Sequence, residues 1–143
     1  MHQQTKKSEK ITVQAIIAAG SQKVWEYYTD PEQIMQWNFA SQEWQCPRVK
    51  NELRVGGSFY ARMEAKDGSF GFDYEAVYDE IRPEKFLSYA LTDGRKVQVS
   101  FEEEGNQTMV TITFDSEPEN STDMQRDGWQ AILNNFKKHV EES

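Results

Sequence analysis

A chain of 143 residues is the length of one ordinary domain, long enough to bury a core and too short to divide comfortably in two. Its 24 acidic residues against 16 basic ones leave a formal charge of −8, and without segregated basic residues that charge would repel a phosphate backbone, so no nucleic-acid partner is expected. The single cysteine excludes an intrachain disulfide, and no apolar run suits a bilayer span or a secretory leader, so a cytoplasmic protein with no membrane span is expected.

Residues 1–10 are polar and hold the one basic cluster, Lys6, Lys7 and Lys10; they read as a disordered tail, with residues 11–143 as a single domain. Ile11 to Ala19 is rich in β-branched and small apolar residues and reads as a strand ended by Gly20-Ser21. Ser21 is then expected to cap a short helix carrying Val24, Trp25 and Tyr28. Asp30, Pro31 and Gln33 supply an N-cap, a first-turn proline and a capping-box partner for a second helix. The segment that follows, with Trp37, Phe39, Trp44 and Cys46 before Pro47, reads as a long loop whose aromatics suit either a cavity rim or ordinary packing.

From Leu53 onward apolar residues recur with period two, which predicts a sheet with one dry face and one wet face. Phe59, Ala61 and Met63 point inward on one strand, Phe72, Tyr74, Ala76 and Tyr78 on the next, and Leu87, Tyr89 and Leu91 on a third. Arg62, Glu64, Asp73, Glu75 and Ser88 then face water. Val97, Val99 and Phe101, followed by Val110, Ile112 and Phe114, continue the inward set. Asp67-Gly68, Arg82-Pro83, Asp93-Gly94 and Gly105-Asn106 mark the turns, so consecutive strands should be antiparallel neighbours. Gly56-Gly57 suits a bulge or sharp bend, and Glu102-Glu103-Glu104 reads as a solvated hairpin end.

Pro118 and the Thr122/Gln125 capping-box spacing announce the last and longest helix. At 100° per residue Trp129, Ile132, Leu133, Phe136 and Val140 fall in one stripe of roughly 100°, which must pack on the sheet. Gln125 lies in that stripe, where a buried amide needs a partner, and Gly128 leaves a gap beside it. The fold class is therefore α+β: two short helices after the first strand, then a curved antiparallel sheet of about six to seven strands wrapped on the C-terminal helix.

Several stretches carry a family resemblance: Val24-Trp25, Thr29-Asp30-Pro31, Trp37, Gly56-Gly57, Glu80-Ile81-Arg82-Pro83 and Gly128-Trp129. From about Ile11 to Val140 the chain resembles the activator of heat-shock-protein-90 ATPase homologue family, within the START-like helix-grip (SRPBCC) superfamily, which shares the birch-pollen allergen fold. The resemblance implies a cavity between helix and sheet for an apolar or amphipathic small molecule, and a heat-shock chaperone as an alternative partner. Phe59, Met63, Val99, Phe101, Trp129 and Ile132 are the expected walls, with Tyr74, Tyr78, Tyr89 and Gln125 as polar anchors. The alternative for each tyrosine is a hydroxyl satisfied by backbone or by water at the sheet edge.

Catalytic chemistry finds little to work with. The two histidines, His2 and His139, are poorly placed to serve Cys46, and so few His and Cys residues predict no zinc site. No Gly-Lys-Ser follows Gly68-Ser69-Phe70-Gly71, and Asp73 and Glu75 share the outward parity, so no catalytic residue, cofactor or metal is expected. A cyclase or hydrolase acting inside the cavity remains as a further reading.

Overall fold

The computed structural model describes residues 9–143; Lys6 and Lys7 lie outside them, and Lys10 opens the first strand. The first half of the chain forms β1 (Lys10–Ile17), α1 (Ser21–Thr29), α2 (Pro31–Trp37), β2 (Trp44–Asn51) and β3 (Ser58–Ala65). The second forms β4 (Gly71–Arg82), β5 (Phe86–Leu91), β6 (Lys96–Glu104), β7 (Gln107–Asp115) and α3 (Thr122–Glu142). Seven antiparallel strands make one sheet in the order β1-β7-β6-β5-β4-β3-β2, so every strand from β2 to β7 pairs with its successor and β1 closes on β7.

Three of the hairpins turn on glycines in the left-handed region, Gly68 (φ 80°), Gly94 (φ 93°) and Gly105 (φ 62°), where a side chain would be strained. The Arg82-Pro83 turn instead places Glu84 there, at φ 68°. The inward parity is observed in the central strands. Val97 pairs with Phe114, Val99 with Ile112 and Phe101 with Val110, and all six side chains are buried.

Several local expectations need correction. Trp44–Asn51 is a strand, not a loop; it lies at the sheet edge, where a proline costs no ladder bond, and Pro47 falls where the register shifts between Gln45 and Arg48. Cys46 is buried in it. The bulge expected at Gly56-Gly57 is present: Gly56, at φ 82°, donates its N–H to Tyr78 O (2.9 Å) while Tyr78 N–H donates to Gly57 O (3.0 Å), so two residues face one, and a further register slip lies on β4 between Tyr78 and Glu80. Ser88, assigned to water, is buried, because its short side chain sits between those of its partners Glu80 and Gln98. Phe72 is 42 % exposed near the tip of the β3–β4 hairpin.

The caps differ too. Ser21 is the first residue of α1 rather than its cap, and its N–H donates to the Glu103 carboxylate (2.7 Å), so that part of the acidic run closes a helix end instead of facing bulk water. Asp30 caps α2 as expected by accepting from Glu32 N–H (3.1 Å), but Gln33 Oε1 meets His139 Nε2 at 2.7 Å and closes no capping box. Ser121, not Thr122, caps α3.

α3 is held differently along its length. Leu133, Phe136 and Val140 in its C-terminal half are buried. There Phe136 meets the rings of Tyr28 (5.2 Å) and Trp37 (4.8 Å), and Asn135 Nδ2 donates to Trp37 O (2.9 Å). On its other flank Gln130 Nε2 donates to Gln14 O (3.0 Å) and Lys137 Nζ to Ile16 O (2.6 Å), tying α3 to β1. Trp129 and Ile132, nearer the N-terminus, are only half-buried. The two short helices wedge one end of α3 against the sheet; toward the other end Trp129 stacks on Phe114 of β7 (4.0 Å), and α3 stands off the strands beyond β7.

Candidate functional site

The stand-off is a cavity of about 530 Å³ between α3 and the concave sheet face. Leu87 and Tyr89 on β5 and Ile112 on β7 form its floor; Trp129, Ile132 and Leu133 on α3 form one wall. Opposite them stand Tyr28, Ile34 and Trp37 from the short helices. Phe59 and Met63 on β3 with Tyr74 and Tyr78 on β4 close the far side. The mouth lies where the lining residues become exposed: Phe70 (61 %) and Phe72 (42 %), together with Glu119, Asn120 and the half-buried Arg95.

Of the residues assigned to the cavity from sequence, Phe59, Met63, Tyr74, Tyr78, Tyr89, Trp129 and Ile132 line it. Val99, Phe101 and Gln125 do not, which corrects the expectation. Phe101 is covered by α1, its ring lying 5.2 Å from Trp25 and 5.6 Å from Tyr28, and Val99 is wholly enclosed in the core. Parity along a strand chooses the face but not the position under the helices, and Phe101 falls beneath α1.

The Gln125 amide is spent on the β7–α3 loop. Its Oε1 accepts from Glu117 N–H (2.9 Å), and its Nε2 donates to Glu117 O (3.0 Å) and Asn120 O (2.8 Å). The Glu117 carboxylate in turn accepts from the N–H groups of Asn120 (2.6 Å) and Glu119 (3.1 Å), which hold it below the usual carboxylate range. The loop at the mouth is thus braced from within.

Sequence reasoning missed Tyr28, Ile34, Asn38, Leu87 and Ile112 as lining residues. Tyr28 had a readable signal, lying three residues after Trp25 and four after Val24 and so on the buried face of α1. Trp37, read as either rim or packing, is a wall residue whose indole N–H donates to Tyr27 O (3.0 Å). Trp44 lies behind the mouth, its ring 6.0 Å from Phe70 and 6.3 Å from Phe72.

The polar content of the cavity is mostly phenolic. Tyr74 and Tyr89 share a hydrogen bond of 3.0 Å, while Tyr78 donates to Asn51 Oδ1 (2.8 Å), whose Nδ2 donates to Thr29 O (2.7 Å). Burial raises all the lining phenols: Tyr78 is pushed up to about 12, and Tyr28, Tyr74 and Tyr89 rise as well. They are uncharged donors near neutrality. Burial pushes the Cys46 thiol up, against the opposing donation from Asn38 Nδ2 at 3.7 Å, which disfavours its reactive thiolate form. Among the described residues no group of three or more His, Cys, Asp or Glu is placed to hold a metal ion, and no helix is long and apolar enough to cross a membrane. This arrangement suits holding a molecule by apolar contact and a few neutral hydrogen bonds.

The fold has close counterparts. The AHSA1-like protein from Aeromonas hydrophila is 40 % identical and superposes with a TM-score of 0.88, over 94 % of this chain and 93 % of that one. Protein Chr148 from Cytophaga hutchinsonii is 44 % identical, with a TM-score of 0.81 over 93 % and 92 % of the two chains. At 17 % identity NE0264 from Nitrosomonas europaea shares the fold, with a TM-score of 0.80 over 93 % and 94 %. No curated protein matches the sequence. The model of the Activator of Hsp90 ATPase homolog 1-like protein family matches residues 18–141, which takes in every lining residue of the cavity, and the chain belongs to that family.

Proposed function

We propose that this chain is a small-molecule binding domain that holds an apolar or amphipathic ligand between α3 and the sheet. The observation that carries this reading is the cavity itself, about 530 Å³ with predominantly aromatic and aliphatic walls and a mouth of mixed character. At about 24 cal/mol per Å³ a dry void of that size would cost on the order of 13 kcal/mol, as much as the roughly 5–15 kcal/mol that holds a domain folded. A cavity this large is therefore filled, by water or by a guest. An apolar guest would remove more apolar surface from water than it leaves exposed.

Native mass spectrometry of protein purified without denaturation, with a thermal-shift panel of lipids, aromatics and polyketides, tests the reading. Bound mass or a raised midpoint is expected, and Ile132→Trp, which fills the cavity from α3, should abolish it while the protein stays folded. A folded protein that takes up no compound from any of the three classes would refute it.

Family membership favours a second reading, an interaction domain for a heat-shock chaperone. Stimulation of an Hsp90-type ATPase by the purified protein is its expected signature. No complex and no stimulation at micromolar concentration would dismiss it.

A further inference from the structure

Tyr28 lines the cavity with a buried hydroxyl that the fold leaves without a partner among the described residues. Its ring is fixed edge-on to Phe101 (5.6 Å) and Phe136 (5.2 Å) and stacked on Trp37 (5.2 Å), so its position is set by packing. Its hydroxyl makes no hydrogen bond among the described residues, although the residue lines the cavity. Buried hydroxyls are ordinarily paired, and leaving one unpaired costs stability.

The neighbouring phenols do not relieve it. Tyr78 spends its hydrogen on Asn51 Oδ1. Tyr74 and Tyr89 bond to each other, and two hydroxyls joined by one hydrogen bond leave one hydrogen unspent. The cavity lining thus offers two unused O–H donors, one on Tyr28 and one on the Tyr74–Tyr89 pair. A phenol donates more strongly than it accepts, because its oxygen lone pair is drawn into the ring.

Charge narrows the choice of guest. Arg95 is the one cation lining the cavity; it lies at the mouth, and its Nε is engaged by Asp93 Oδ2 at 2.7 Å. Glu117 and Glu119 share that mouth, so no net positive field draws an anion inward. A carboxylate taken deeper would lose its hydration among rings.

We propose that the cavity selects uncharged, largely apolar ligands that carry a carbonyl-type acceptor, and that Tyr28 together with the Tyr74–Tyr89 pair donates to that oxygen. This rests on the ligand-binding reading above and adds the chemical class of the guest. It also gives Tyr28 a reason to keep its hydroxyl where phenylalanine would pack equally well.

The test uses matched probes: 9-fluorenone, fluorene, which lacks the oxygen, and fluorene-9-carboxylate, which carries a charge. Each is titrated into the full-length protein and followed by amide and indole NMR shifts. Fluorenone is expected to bind about five- to tenfold more tightly than fluorene, the effect of one or two neutral hydrogen bonds, and the carboxylate to bind most weakly. Tyr28→Phe should reduce the preference for fluorenone, with fluorene affinity and the unfolding midpoint of the free protein little changed, since cavity water pairs the hydroxyl when no guest is bound.

Equal binding of fluorenone and fluorene would overturn the donor assignment while leaving the cavity a binding site. Preference for the carboxylate would overturn the uncharged class. A lowered midpoint in Tyr28→Phe would show that the hydroxyl is already satisfied by the fold, and would overturn the role of Tyr28. Failure of all three probes to bind would remove the ligand-binding reading along with the inference.

Discussion

Gln125 stabilises the molecule through a loop rather than through the core it was expected to join. Its amide bonds Glu117 twice and Asn120 once, so replacing it orphans backbone groups beside a buried side chain. Gln125→Leu should cost about 2–3 kcal/mol in urea unfolding, seen as a lower midpoint with an unchanged m-value. Tyr28 is the opposite case, a hydroxyl with no partner in the fold, and Tyr28→Phe should shift the stability of the free protein by less than about 1 kcal/mol, because only cavity water loses a bond. Sequence located the buried amide, since Gln125 stands four residues before Trp129 in the apolar stripe. It did not reveal the partners, because a side chain that turns back to the preceding loop has no periodic signature. The phenols Tyr74, Tyr78 and Tyr89 were legible for the opposite reason, as strand alternation places every second side chain on the same face.

At the level of elements, β2 was illegible because its sequence denies its role. Trp44-Gln45-Cys46-Pro47-Arg48-Val49-Lys50-Asn51 carries a proline and two cations, which an edge strand tolerates and a central one would not. The β2–β3 connection depends on Gly57, where an added Cβ would lie 2.2 Å from Glu52 O and 3.0 Å from Arg54 O. Gly57→Ala should therefore destabilise by about 1–3 kcal/mol in chemical denaturation, as overpacking against backbone does. Gly128 is its contrast, with nothing within 4 Å of an added Cβ, so Gly128→Ala should stabilise α3 by up to about 1 kcal/mol.

The start of α1 depends on a carboxylate from another hairpin. Hydrogen bonding from Ser21 holds the Glu103 carboxyl below its ordinary value, so its contribution is present above the unfolded value of about 4.3 and is lost as pH falls through the folded one. Glu103→Gln should lower the unfolding midpoint at pH 7, and the difference from wild type should shrink below about pH 4. A difference that persists unchanged at pH 3 would assign the effect to something other than the charge.

For the whole molecule, the sheet and its covering helix were legible because period-two and period-3.6 patterns are dictated by one-sided burial, which the chain obeys from β3 onward. The cavity was not legible as a shape. Its existence follows from α1 and α2 meeting α3 along its C-terminal half, from Asn135 to its end, a long-range placement that strand and helix periodicities do not contain. One global property does follow from the site. Tyr28, Tyr74, Tyr78 and Tyr89 are all raised by burial, so they remain protonated in the folded protein while the unfolded chain releases their protons near pH 10. Stability is accordingly complete below about pH 10 and falls as pH rises through the elevated folded values. Phenolate absorbance should climb in two stages, the second coinciding with loss of tertiary circular dichroism; simple ionisation of every tyrosine near pH 10 would contradict this.

The sheet is open, ending in β1 and β2, and each border is obstructed in its own way. Along β1, carbonyls of Gln14 and Ile16 are occupied by Gln130 and Lys137 of α3; along β2, Pro47 and the shifted register interrupt the row of donors. A neighbouring copy would find no continuous template on which to lay a strand. Obstructed borders of this kind disfavour fibril growth from the margins of a sheet whose concave face carries an oily hollow.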